Sequence, residues 1–177
     1  MIDQQLKQYI REINDFPKKG ISFKDITPLF KAPSVSNFIL DSFVNQLSTF
    51  KVDAVVGIES RGFIYAFALA NRLKVPFIPI RKKGKLPFST ISQDYELEYG
   101  NETLEIHTDA IKKEWNVVIH DDLLATGGTA EASAKLIEKL DAKVCAFTFV
   151  VELSFLNGTK TLNNYCNTII SLTKYNS

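Results

Sequence analysis

Residues 117–129, Val-Val-Ile-His-Asp-Asp-Leu-Leu-Ala-Thr-Gly-Gly-Thr, constrain this chain more than any other stretch. Val117, Val118 and Ile119 form an apolar, β-branched run, the mark of a strand covered on both faces. Asp121 and Asp122 stand where that strand is expected to end. Successive strand side chains point to opposite faces, so two adjacent carboxylates can serve one ligand only where strand gives way to turn. Ala125, Thr126, Gly127, Gly128 and Thr129 follow with little side-chain bulk. Glycines there permit positive φ and close approach to the main chain. Successive N–H groups in such a turn make an anion-binding concavity, and the helix expected next adds its positive dipole end. The hydroxyls of Thr126 and Thr129 supply further donors. The stretch therefore offers a phosphate cradle beside two acceptors for vicinal hydroxyls, and a 5-phosphorylated ribose carries both groups. Two other phosphate loops are excluded. No Lys follows the glycines, as a Walker A loop requires, and there is no G-x-G-x-x-G. Gly-Gly alone would be an ordinary tight turn; the acid pair before it makes the difference.

The chain of 177 residues suits one domain. At that size roughly 70% of the unfolded surface is buried, enough for a real core. Net charge is +1, which gives no reason to expect a nucleic-acid or membrane partner. No stretch approaches the ~18 uninterrupted apolar residues of a membrane span, and the first ten residues are amphipathic rather than signal-like. The 13 Phe are compatible with a Phe-rich core and some aromatic contacts to a flat ligand. Cys145 and Cys166 lack metal spacing and read as buried free thiols of a reducing cytoplasm. With His107 and His120 far apart in sequence, a protein-ligated zinc is not expected.

Along the chain, Ile2, Leu6, Tyr9, Ile10 and Ile13 predict an amphipathic helix over 2–14, ended by Asn14-Asp15-Phe16-Pro17. Residues 18–29 are broken by Gly and Pro and read as an extended hood. Ser34 is placed to cap a second helix reaching about Thr49. Strands are expected at 52–57, 76–80, 117–119, 144–151 and 168–172. Helices are expected at 62–73, 127–140 and 155–162. Alternation of this kind predicts a parallel twisted sheet flanked by helices on both faces, with ligands beyond the carboxyl ends of the strands. The polar turns 59–62, 81–85 and 121–129 all fall at such ends. Residues 86–108 fit neither period well; their middle alternates like a two-stranded excursion, and a long irregular insertion of this sort suggests a lid.

Asp121 through Thr129 resembles the phosphoribosyl-pyrophosphate signature of type I phosphoribosyltransferases. Ribosyl transfer passes through a cation at the anomeric carbon while charge builds on the leaving pyrophosphate. Asp121 and Asp122 suit the ribose hydroxyls beside that cation, and Ala125 to Thr129 suit the 5-phosphate. Arg61, Arg81, Lys82 and Lys85 are candidates for pyrophosphate, with Arg adapted to bidentate oxyanion contacts. A lid must keep water out. Mg²⁺ is expected, held mainly by substrate oxygens and water rather than by a protein cage.

The likeness extends further. Phe16-Pro17-x-x-Gly20-Ile21-x-Phe23-x-Asp25-Ile26-Thr27-Pro28, Gly57 to Phe63, Arg81 to Pro87, Leu97-Glu98-Tyr99-Gly100 and Val151-Glu152-Leu153 occur in the order found in adenine phosphoribosyltransferases. That resemblance implies one phosphoribosyltransferase domain over 1–177, with an N-terminal helix and base-covering hood in 1–34 and a flexible lid in 81–108. It implies AMP and pyrophosphate made from adenine and 5-phosphoribosyl 1-pyrophosphate in purine salvage, by a cytoplasmic homodimer without nucleic-acid or membrane partners. It also implies individual roles. Phe23 would stack on adenine, main-chain groups of Ser22 to Lys24 would read its edge, and Leu123 would pack on the opposite face. Glu98 would be the general acid/base, Tyr99 would help close the lid, and Arg81 would reach a neighbouring subunit's site. Departures from the family pattern are Lys24, where Arg is frequent, His120, where an apolar residue is common, and Phe88, where Gly stands nearby. His120 reads as a strand residue rather than a catalyst. The alternatives are a transferase for hypoxanthine, guanine or xanthine, and a non-catalytic sensor of phosphoribosyl pyrophosphate; the N-terminal position of the hood and the intact lid argue against them.

Overall fold

In the computed structural model, which describes residues 2–97 and 100–177, the alternation resolves into one seven-stranded sheet and a separate two-stranded ribbon. Helix α1 (Ile2–Lys7) leads into strands β1 (Arg11–Asn14) and β2 (Ser22–Asp25), then α2 (Thr27–Phe30) and α3 (Pro33–Leu47). The repeating core follows: β3 (Ala54–Ile58), α4 (Gly62–Leu73), β4 (Phe77–Lys82), β5 (Thr90–Leu97), β6 (Gly100–His107), β7 (Asn116–Leu124), α5 (Gly128–Lys139) and β8 (Lys143–Leu153). A 3₁₀ turn (Ser154–Leu156), α6 (Gly158–Leu162) and β9 (Ile169–Tyr175) close the chain.

The order across the large sheet is β5-β6-β4-β3-β7-β8-β9. Strands β4, β3, β7, β8 and β9 are mutually parallel, and β6 joins β4 antiparallel. All five residues of β3 are buried, as a strand covered on both faces requires. On one face lie α1, α3 and α4, meeting the sheet through Leu6, Phe43, Leu69 and Val118. On the other lies α5, through Leu136 and Ile137 against Ile119 and Phe147. The connection after β3 runs outward through α4 to β4, and the one after β7 runs the opposite way through α5 to β8. The carboxyl ends of β3 and β7 thus flank the switch point of the sheet, where ligands of open α/β sheets sit.

Four expectations need correction or extension. The N-terminal helix stops at Lys7 rather than Asn14, because Arg11–Asn14 pairs antiparallel with Ser22–Asp25, Glu12 opposite Lys24 and Ile13 opposite Phe23. The hood is therefore a ribbon and not merely extended chain. Ser34 is not the cap of α3: Ala32 holds that position and Pro33 opens the first turn, where its missing N–H costs nothing. The two-stranded excursion read in the middle of 86–108 is present and longer than that middle: β5 and β6 pair over eight registered positions and extend the sheet at its edge. The strand predicted at 117–119 runs on to Leu124, so Asp121 and Asp122 lie within it. Cys145 and Cys166 are free but only half-buried. His120 is fully buried in β7, with Nδ1 2.9 Å from Thr148 Oγ1 and its ring edge-on to Phe43, and burial pushes its pKa down to about 3. A neutral imidazole packed this way is a core residue.

Candidate active site

The turn after β3 carries Glu59-Ser60-Arg61, with a cis Glu59–Ser60 peptide, and delivers the Arg61 guanidinium to β7. Arg61 Nε lies 2.9 Å from Asp122 Oδ2, and Asp122 is only 5% exposed. Asp121 accepts the Asp122 N–H through Oδ1 at 2.9 Å. This fold-back keeps the two carboxyls neighbours although the strand has not ended. Gly62, the first residue of α4, makes the arrangement sterically possible: a Cβ there would lie 2.7 Å from Asp121 Oδ1. Burial and the adjacent Asp122 charge hold the Asp121 carboxyl well above the usual carboxylate range. Burial raises Asp122 as well, against the pull of Arg61.

Downstream, Asp121 and residues 123–130 line a cavity of about 60 Å³ at the N-terminus of α5. Gly127 has φ 90° and precedes the helix, whose first N–H groups have no partners within it. Gly158 of α6 packs tightly behind this turn: a Cβ there would collide with the Ala125 carbonyl and come within 2.9 Å of Leu124 Cδ1. The concavity, which Phe149 also lines, is of single-oxyanion size and contiguous with the acid pair.

The cationic turn after β4 joins the same region. The Glu59 carboxylate accepts Arg81 Nε and Nη2, each at 3.2 Å, and the Lys82 N–H at 3.1 Å. Arg81 Nη1 also donates to the Lys85 carbonyl at 2.9 Å, and the exposed Lys85 adds a further positive charge near Glu59. Arg81 and Lys82 prove to be the last residues of β4 rather than loop. Lys82 Nζ is 2.8 Å from Glu102 Oε1, and Tyr95 OH donates to Glu102 Oε2 at 3.2 Å. Tyr95 also hydrogen-bonds Thr129, so the β5–β6 hairpin reaches from the cationic turn to the phosphate-sized cradle.

The ribbon completes the group. The half-buried Phe23 packs edge-on to Phe16 at 5.1 Å, and Arg61 Cζ lies 5.2 Å from its ring centre. Lys24 points the other way: Nζ is 2.7 Å from Glu12 and 3.0 Å from Ser22 Oγ, and the residue is 3% exposed. Ser22 is exposed, and Leu123 packs against the α3–α4 side of the core. The structure thus assembles Arg61, Arg81, Lys82, Lys85, Asp121, Asp122, Phe23 and the 125–129 cradle around one switch point. Glu98 and Tyr99 lie outside the described residues. Sequence reasoning missed Glu59, Tyr95, Glu102 and Gly158. Glu59 stands inside a recognised motif, but the others are tied to the site by contacts distant in sequence and carry no local signal.

A mostly parallel sheet with a backbone anion cradle and an acid pair at its switch point is the frame of a phosphoribosyltransferase, and the family model for the phosphoribosyl transferase domain matches residues 35–173. An adenine phosphoribosyltransferase of Cytophaga hutchinsonii is 50% identical over 175 residues, covering 99% of this chain and 97% of the relative. The crystal structure of adenine phosphoribosyltransferase from Thermoanaerobacter pseudethanolicus superposes with a TM-score of 0.94 at 50% identity, covering 99% of this chain and 100% of that one. The Saccharomyces cerevisiae enzyme, complexed with D-2,5-dideoxy-2,5-imino-altritol 1,6-bisphosphate and adenine, gives a TM-score of 0.90 at 39% identity, with coverages of 97% and 98%. The chain belongs to the adenine phosphoribosyltransferases, the pentosyltransferases of purine salvage that make AMP and pyrophosphate from adenine and 5-phosphoribosyl 1-pyrophosphate.

The raised Asp121 pKa has a consequence for stability. An acid whose folded pKa exceeds its unfolded value of 3.8 destabilises the fold when made to ionise. That cost is absent below the unfolded pKa, grows as pH rises toward the folded one, and is fully present above it. Asp121→Asn keeps an acceptor for the Asp122 N–H, so it should raise the Tm at pH 8 by about 2–4 °C, roughly 1 kcal/mol in a chain of this length, with the gain vanishing near pH ~4. Calorimetry at the two pH values checks this; a Tm at pH 8 equal to or below the wild-type value rejects it.

Proposed function

We propose that this chain transfers the phosphoribosyl group of 5-phosphoribosyl 1-pyrophosphate to adenine, working as a single domain over residues 1–177. The observation that carries the reading is the contiguity of the acid pair and the backbone cradle on β7 and α5, with the ribbon's Phe23 resting on Arg61 above them. The cradle Ala125, Thr126, Gly127, Gly128 and Thr129 would take the 5-phosphate, and Asp121 and Asp122 the ribose hydroxyls. Phe23 would stack on adenine, the main chain of Ser22, Phe23 and Lys24 would read its edge, and Leu123 would close the other face. The Lys24 ammonium is already committed to Glu12, which favours main-chain over side-chain readout there.

As the bond from the anomeric carbon to pyrophosphate breaks, adenine N9 bonds to that carbon and gives up its proton. Positive charge gathered on the ribose is balanced by the acid pair. Glu98 in the lid, residues 81–108, would accept the N9 proton, and Tyr99 would help exclude water. Arg61, Arg81, Lys82 and Lys85 would receive pyrophosphate. Three of them now face carboxylates, Asp122, Glu59 and Glu102, so the incoming anion replaces one set of negative partners with another. Mg²⁺ is the proposed cofactor. The described residues contain no group of three His, Cys, Asp or Glu able to hold a metal, so the oxygen donors available are the acid pair, substrate and water, a set that suits a cation keeping most of its waters. When bound, it neutralises charge on the pyrophosphate.

A homodimer is proposed on the strength of α4, which exposes Ile64 and Phe67 directly after the Arg61 turn, with Phe67 packed edge-on to Phe77. Light scattering should give twice the mass of one chain; a monomer at micromolar concentration rejects the dimer, and with it any contribution of Arg81 to a neighbouring site. A cytoplasmic location rests on the two free thiols. Recovery from cells with either cysteine in a disulfide would contradict it.

Incubation of the purified chain with adenine, 5-phosphoribosyl 1-pyrophosphate and Mg²⁺ should yield AMP. Faster reaction with guanine or hypoxanthine under the same conditions would overturn the base assignment. Glu98→Ala should lower kcat by about 100-fold or more, as loss of a general acid/base does, with little change in phosphoribosyl pyrophosphate affinity. Unchanged turnover would remove Glu98 from the mechanism.

A further inference from the structure

The strand that carries Phe23 is half of a two-stranded ribbon, and a ribbon of two strands is marginal without support from outside. Strand alternation sends Phe23 and Lys24 to opposite faces. Phe23 meets Arg61, so the ribbon's other attachment runs through Lys24. Its ammonium lies over the ring of Tyr175, 4.3 Å from the centroid, while Glu12 and Ser22 Oγ take hydrogen bonds from it. Tyr175 closes β9 at the edge of the large sheet and is 8% exposed. A second ammonium, Lys7 of α1, stands 5.0 Å from the same ring.

That second contact is itself braced. Lys7 pairs with Asp3 at 2.9 Å, and Asp3 Oδ1 accepts Thr173 Oγ1 at 2.5 Å and the Lys174 N–H at 2.9 Å. The edge strand, α1 and the ribbon are therefore locked together around one aromatic ring. The Tyr175 hydroxyl has no hydrogen-bond partner among the described residues. Its ring face meets both ammonium groups, and burial with Glu12 and Asp3 nearby pushes its pKa up to about 12, so the ring stays uncharged between them.

We propose that Tyr175 is a positioning residue for the base pocket: its ring seats Lys24 and so fixes the height and tilt of the strand that presents Phe23 and the Ser22–Lys24 main chain to the base. This rests on the proposed stacking of Phe23 on adenine. The ribose-phosphate machinery on β7 and α5 shares none of these contacts, so disturbing the seat should loosen adenine and spare phosphoribosyl pyrophosphate.

The test uses the full chain with Mg²⁺, varying each substrate in turn, in Tyr175→Phe and Tyr175→Leu. The ring-preserving Phe variant should match wild type. The Leu variant, which removes the cation–π seat, should raise the adenine KM about tenfold, with kcat and the phosphoribosyl pyrophosphate KM within about twofold. Tryptic cleavage after Lys18 or Lys19 in the ligand-free protein should accelerate about fivefold in the Leu variant alone, as local opening becomes easier. If both KM values or kcat move together, or if Phe is as impaired as Leu, the proposal is overturned. Should Tyr175→Leu fail to fold, Lys24→Met removes the same contact from the other side, and an unchanged adenine KM there also overturns it. Phe23→Ala reports on the underlying reading: an unchanged adenine KM removes Phe23 from the base, whereas unchanged trypsin sensitivity in Tyr175→Leu removes Tyr175 from the ribbon's support.

Discussion

The contact between Arg61 and Asp122 holds the site in one piece. It joins the turn after β3 to the last residues of β7 across the switch point of the sheet, and the same guanidinium supports the ring of Phe23. Asp122 is nearly inaccessible while Arg61 keeps about a third of its surface in solvent, so removing Arg61 leaves the buried carboxyl without its charged partner, a larger loss than removing Asp122 from the better-solvated guanidinium. Gly62 is the steric counterpart of this ion pair. A side chain at that position would push α4 off Asp121 and separate the turn from the strand.

Electrostatic frustration in the site follows from the same geometry. Four cations, Arg61, Arg81, Lys82 and Lys85, and four acidic side chains, Glu59, Glu102, Asp121 and Asp122, lie close together, and the fold manages most of them by pairing. Arg61 faces Asp122, Arg81 faces Glu59, and Lys82 faces Glu102. The pairs are not equivalent. Lys82 and Glu102 are the most solvent-exposed of the three, and exposed pairs contribute about 0–1 kcal/mol, so an incoming anion displaces this one most easily. Arg61 is more deeply held, and an anion that reaches it weakens its grip on Asp122 and on Phe23 together. In the proposed reaction the pyrophosphate end of the substrate is therefore coupled through one guanidinium both to the acid pair and to the ribbon over the base.

The strand–turn–helix repeats were legible because each is local. A buried apolar run, a polar turn and a helical period lie within about 25 residues, and 54–73 and 116–139 fold as their patterns require. The acid pair and cradle were legible for the same reason. What escaped was set by partners far along the chain. Ile2, Leu6, Tyr9, Ile10 and Ile13 mimic one helical face, yet Glu12 and Ile13 are claimed by Lys24 and Phe23 opposite them. Asp121 and Asp122 looked like strand-end residues because alternation forbids them a common side; the short Asp121 side chain evades that rule by folding back onto the next N–H. Gly158, Tyr95 and Glu102 have no pattern of their own and acquire meaning only when α6 and the hairpin pack against the cradle.

The division of labour between the two ends of the chain has a physical origin. In the proposed reading the reaction class resides in β7 and α5, whose backbone is fixed by the sheet centre and by cores on both faces, so its geometry can change little without unfolding the domain. The ribbon proposed to cover the base has neither of these restraints. It is held by Arg61 on one side and by the Lys24–Tyr175 contact at the sheet edge on the other, attachments that involve few residues and do not touch the 125–129 turn. A transferase built this way can alter which flat base it accepts by adjusting the ribbon and its edge-strand seat, while the acid pair, bound by strand register and by Gly62, stays where the chemistry at the anomeric carbon requires it.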